Sequence, residues 1–155
     1  EFGAETVLVD GASDRVTQAV SAPGAGYVFV LRACGAGLAR AAERARQLVA
    51  FDAIAQAPDP LPDAFCIDGA FTPAVAETVA PGAAVVLNDF TRVFLSPREF
   101  AVFSAARSVY FRRRIPLLFI CVVLQDAEKA GFLRLFDCAR GERYLLFNPY
   151  EAAHG

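Results

Sequence analysis

The sequence predicts an α/β domain: a mostly parallel sheet with flanking helices in three layers, closed at the C-terminus by a β-hairpin. Three observations lead there. Short apolar runs alternate with helix-forming stretches, as in parallel strands joined by crossover helices. Hydrophobic residues make up 55% of the chain against 21% charged, which suits strands covered on both faces. Two of the apolar runs stop at the same Asp-Gly-Ala turn, at Asp10 and again at Asp68. At 155 residues the chain reads as a single domain over 1–155 or as a fragment of a larger P-loop-like protein. Its pattern is weakest over 125–155.

Residues 6–9 form the first expected strand, stopped by Asp10-Gly11-Ala12. Residues 13–26 are small and polar and read as a loop. A second strand covers 27–31. From Leu38 to about Ala55 the composition turns to Ala, Glu, Arg and Leu, all strong helix formers. Leu38, Ala41, Ala42, Ala45, Leu48 and Val49 share one face of that helix. Pro58, Pro60 and Pro62 mark the connection to a third strand at 64–67. Thr72-Pro73 then supplies an N-cap and a proline at the first helical position. A fourth strand at 83–87 ends on Asn88-Asp89. Ser96-Pro97-Arg98-Glu99 is a capping box opening a helix to about Arg107. Residues 109–111 form a short strand and 117–124 a long, central one. A turn of helix is expected at 126–130. The hairpin is expected from 132–138 and 143–147 around Ala139-Arg140-Gly141-Glu142.

Bulk properties narrow the function classes. A net charge of −2 and a pI near 5.4 give no overall basic field for nucleic acid. The longest apolar run, 115–124, is shorter than the ~20 residues a membrane helix needs. Cys34, Cys66, Cys121 and Cys138 are scattered, so neither a disulfide framework nor a zinc site is expected, and a reducing, cytoplasmic setting is. The chain has no methionine, even at position 1; it reads as a piece from which an N-terminal part is missing.

Ligands of open α/β sheets gather beyond the carboxyl ends of the strands. Asp10, Asp68 and Asp89 each stand at such an end. An aspartate there can reach Mg²⁺, and the following glycine, Gly11 after Asp10, lets the backbone turn and a ligand approach. The ordinary alternative is that each aspartate caps the next turn through its own side chain. Arg15 suits a phosphate or a carboxylate equally, or a local pair with Asp10 or Asp14. Arg112-Arg113-Arg114 is the sharpest basic feature and reads first as a solvated charge run, second as a site for an acidic partner. No G-x-x-x-x-G-K-[ST] occurs, and the one histidine, His154, lies in the tail.

The stretch Val7-Leu8-Val9-Asp10-Gly11-Ala12-Ser13-Asp14-Arg15 resembles the small P-loop proteins that serve as reactivase components of lysine 5,6-aminomutase, an adenosylcobalamin enzyme. Ser21-Ala22-Pro23, Cys34-Gly35-Ala36, Asp68-Gly69-Ala70 with Thr72, Asn88-Asp89, Phe94-Leu95-Ser96-Pro97 and Ile115-Pro116-Leu117 follow in the family's order. The resemblance spans about 3–124. The chain departs from the family at Arg32-Ala33-Cys34 and where Asn-Pro should follow the last strong strand. The resemblance implies a phosphate loop on the missing N-terminal part, with ATP and Mg²⁺ as cofactors. Asp10 would be the metal-side aspartate, and Gly11, Arg15, Asp68 and Asp89 would lie on the nucleotide side. The function implied is that of a nucleotide-dependent accessory protein acting on a partner enzyme, an aminomutase, with neither nucleic acid nor membrane as partner. A non-catalytic ligand-binding or regulatory domain is the alternative, and a Mg²⁺-dependent phosphohydrolase using Asp10 the third.

Overall fold

A computed structural model of the chain describes residues 24–148. The strand expected at 6–9, and with it Asp10, Gly11 and Arg15, lies outside the described residues.

The parallel α/β expectation holds, with two small sheets in place of one. β1 (Tyr27–Cys34) leads through a 3₁₀ turn into α1 (Leu38–Asp52). Then come β2 (Phe65–Ile67), α2 (Pro73–Glu77), β3 (Ala84–Leu87), α3 (Pro97–Ala105) and β4 (Ser108–Phe111). β5 (Leu117–Gln125), α4 (Lys129–Phe136), a 3₁₀ helix (Ala139–Tyr144) and β6 (Leu145–Phe147) complete the order. One sheet has the order β1-β5-β6 and the other β2-β3-β4, with every pairing parallel. β5 is central in its sheet, as its length and apolar run predict.

Local chemistry sets the helix starts. The Thr72 hydroxyl accepts from the Val75 N–H, with Pro73 opening α2. At α3 the capping box is complete: the Glu99 N–H donates to Ser96 Oγ, and the Ser96 N–H donates to the Glu99 carboxylate at 2.7 Å. α1 buries Ala41, Ala42, Ala45, Leu48 and Phe51, the face its apolar spacing marks out.

The C-terminal hairpin is not formed. Residues 132–136 belong to α4, and β6 pairs parallel with β5 rather than antiparallel with a neighbour. The segment Phe132-Leu133-Arg134-Leu135-Phe136 has four apolar residues in five and looks like a strand. A strand would put Arg134 on the same face as Phe132 and Phe136; the helix buries both phenylalanines and leaves Arg134 exposed. Gly141 is no turn residue. It lets the 3₁₀ helix approach α4, since a Cβ there would stand 2.5 Å from the Phe136 ring.

Burial on both faces also fails for half the molecule. β3 is buried nearly throughout, but β1 and β5 alternate. Leu31, Val122 and Phe147 form one cross-strand row, on the face that α1 and α4 cover; Phe132 packs edge-on against Phe147 at 5.8 Å. The opposite row is Val30, Cys121 and Leu146. Val30 is 60% exposed, and Val28, Phe119 and Leu146 are 46%, 44% and 46% exposed. Among the described residues no element covers that face.

Candidate functional site

Parallel register places chemistry at the carboxyl ends of β2, β3 and β4. Ile67 pairs with Leu87, and Leu87 with Phe111. The residues that follow these three are Asp68, Asn88-Asp89 and Arg112-Arg113, which therefore meet along one edge. The ladder continues into them: the Arg112 N–H donates to the Leu87 carbonyl at 2.7 Å and the Arg113 N–H to the Asn88 carbonyl at 3.0 Å. Asn88 Nδ2 donates to the Asp68 carbonyl at 2.6 Å. Asn88 thus ties the two strand ends together through backbone rather than through charge.

Each arginine of the 112–114 run holds one carboxylate. Arg112 pairs with Asp68 at 3.1 Å, Arg113 with Asp89 at 3.1 Å and Arg114 with Asp52 at 3.5 Å. The run is therefore not a freely solvated charge patch, although all three guanidinium groups remain about half exposed. Sequence reading missed the pairing. Its signal was present: a basic run directly after a strand, beside parallel strands that end in acids.

The two strand-end aspartates, Asp68 and Asp89, differ in kind. Asp89 is 3% exposed. Its carboxylate accepts from the Thr91 N–H at 2.9 Å, from the Thr91 hydroxyl and from Arg113. That is the capping role, strengthened by an ion pair. Asp68 caps nothing among the described residues, since Thr72 caps α2; it lies exposed against Arg112. At Gly69 an added Cβ would meet nothing within 4 Å, and no positive φ requires glycine there. The space beside Asp68 is open, but the turn itself does not need the glycine.

Asp52, unremarked in the sequence, is the best-connected acid. One oxygen accepts from the Leu117 N–H at 2.9 Å and the other from the Tyr144 hydroxyl at 2.8 Å, with Arg114 in ion-pair contact at 3.5 Å. It joins the end of α1, the start of β5 and the 3₁₀ helix. Burial first, and the Asp52 charge second, push the Tyr27 phenol well above the ordinary tyrosine range. Tyr27 stacks on Phe90 with ring centroids 4.3 Å apart, which ties β1 to the loop after β3.

Of the sequence-predicted site residues, the structure brings Asp68 and Asp89 to the same edge, each with an arginine partner. Asp10, Gly11 and Arg15 lie outside the described residues. No group of three metal-ligating side chains occurs among the described residues, and none of their helices is long and apolar enough to cross a membrane. Comparison with protein-family models, with curated protein sequences and with solved structures returns no match for this chain.

Proposed function

We propose that the chain is the binding domain of an accessory protein that acts on a partner enzyme rather than on a metabolite. The observation that carries this reading is the open face of the β1-β5-β6 sheet. Parallel sheets are ordinarily covered on both sides. Here one face is packed by α1 and α4, while Val28, Val30, Phe119 and Leu146 stand exposed on the other. A contiguous apolar patch on a sheet face marks a surface for another polypeptide. The resemblance in the sequence names that polypeptide's class: an adenosylcobalamin-dependent aminomutase, with the accessory protein remodelling it as a reactivase does. ATP and Mg²⁺ belong to this reading through Asp10, Gly11 and Arg15, and through Asp68 and Asp89, which share one edge with each other. Residues 1–155 contain no phosphate loop of their own.

The test is complex formation between the full chain and such an aminomutase, followed by size-exclusion chromatography with and without Mg·ATP. A stable complex that is lost in Val30→Asp/Phe119→Asp supports the reading. Equal retention by the variant, or no complex under either condition, would sink it.

A second reading is a ligand-binding or regulatory domain that uses no nucleotide. It is favoured by one specific observation: the buried Asp89 carboxylate is committed to Thr91 and Arg113, which turns it inward rather than toward a ligand. A complex that forms equally well without Mg·ATP favours this version.

A further inference from the structure

A groove of about 480 Å³ runs between the C-terminal half of α1 and the 3₁₀ helix Ala139–Tyr144. It lies at the amino end of β5, where the Leu117 N–H meets Asp52, and its lining includes none of Asp68, Asp89, Arg112 and Arg113. We propose that this groove binds an organic phosphate carrying at least a diphosphate. The proposal does not depend on the partner-binding reading.

The charge in the groove is lopsided. Arg46, Arg114, Arg140 and Arg143 line it, with Asp52 as the one acid. That acid is already engaged by Leu117, Tyr144 and Arg114. Arg46 donates to the Leu135 carbonyl at 2.7 Å and Arg143 to the Tyr144 hydroxyl at 2.8 Å. Arg140 has no ion pair among the described residues, and neither Arg46 nor Arg143 has a carboxylate partner there. Three arginines with no carboxylate at ion-pair distance among the described residues therefore line one concavity in a chain whose net charge is −2. Fixed cations brought together repel, and a bound polyanion removes that repulsion while accepting forked hydrogen bonds from each guanidinium. The carbonyl end of α1 would oppose an anion. It is already capped, because Arg114 donates to the Asp52 carbonyl at 2.9 Å.

The remaining wall selects an organic body over a bare ion. Val49, Ala53 and Ile54 present apolar surface, and the Tyr144 ring is held beneath the Arg143 guanidinium at 4.8 Å. The volume lies within the roughly 300–1,000 Å³ of small-molecule sites. A nucleoside di- or triphosphate has both halves of this chemistry.

The experiment is isothermal titration of the full chain at low salt with ATP free of Mg²⁺, and with inorganic tripolyphosphate. Saturable one-site binding of ATP is expected. It should weaken by at least about tenfold in Arg140→Glu/Arg143→Glu, on the scale of one charge-assisted hydrogen bond lost. Both side chains are exposed, and an unchanged thermal midpoint confirms that the variant folds. Arg112→Glu, outside the groove lining, should lose clearly less affinity than the double variant, because it acts on the anion only through its distant charge. Three results overturn the proposal: no saturable heat with ATP, equal affinity in the double variant, or loss of binding in Arg112→Glu instead. The last would assign the phosphate to the strand ends.

Discussion

Arg113 donates to the carboxylate of Asp89 at 3.1 Å, so the residue two places past β4 grips the residue two places past β3. The pair is asymmetric: Asp89 is buried, whereas the Arg113 side chain is about half exposed. Removal of the two partners should therefore have unequal consequences.

Asp89→Ala removes a turn cap together with a charge-assisted hydrogen bond, and should destabilise the fold by about 2–3 kcal/mol. Arg113→Ala leaves the buried Asp89 carboxylate without a counter-charge but with both Thr91 hydrogen bonds, and should cost less, about 1–2 kcal/mol. Urea denaturation of the two variants measures the difference. Equal losses would contradict the assignment of Asp89 as the structural member.

Asp52 joins three elements through separate bonds to Leu117, Tyr144 and Arg114. Asp52→Ala should cost about 2–3 kcal/mol and Tyr144→Phe about 1 kcal/mol. Because Tyr144 acts through Asp52, the double variant should fall short of the sum by more than about 0.5 kcal/mol. Strict additivity in a denaturation cycle would show that the two groups are energetically independent.

Much of this architecture was legible in the sequence, and the failures have physical causes. The capping box at Ser96 and Glu99 and the Thr72-Pro73 helix start could be read because those interactions span only a few residues. The alternation of β1 was overlooked because Val28 and Val30 are as apolar as their buried neighbours, and composition cannot tell an open apolar face from a covered one. The hairpin failed at Phe132 to Phe136, where four apolar residues in five look like a strand but only a helix keeps Arg134 off the face shared by the two phenylalanines. Of the site, the acids at strand ends could be read. Their pairing with Arg112 and Arg113 could not, since it depends on strand order and register. Arg46, Arg140 and Arg143 meet only through packing of the 3₁₀ helix on α1.

Gly141 is held between Phe136 and Val49 rather than in a turn. Gly141→Ala should destabilise by about 1–3 kcal/mol, because the buried Phe136 ring has to move. Thermal unfolding tests this, and Gly69→Ala, which meets nothing within 4 Å, is the matched control. A midpoint for Gly141→Ala equal to that control would contradict the close approach.

The Glu99 carboxyl is held below the ordinary glutamate range by hydrogen bonds from the Ser96 side chain and backbone. A lowered folded pKa contributes stability that is present above the unfolded value and is lost as pH falls through the folded one. Ser96→Ala should therefore lower stability at every pH through loss of the N-cap, and by more at pH 7 than in acid, so that the gap between the two narrows. Parallel pH–stability curves for the two proteins would contradict this coupling.

The open face of β1-β5-β6 is the surface proposed to meet the partner enzyme. Its most direct measurement is the affinity of an adenosylcobalamin-dependent aminomutase for the full chain against Val30→Asp/Phe119→Asp, by biolayer interferometry. Both positions are exposed, so the variant should fold with an unchanged thermal midpoint and bind at least about tenfold more weakly, as expected when central apolar anchors are lost. Binding of undiminished strength by a folded variant would contradict the assignment of that face as the partner surface.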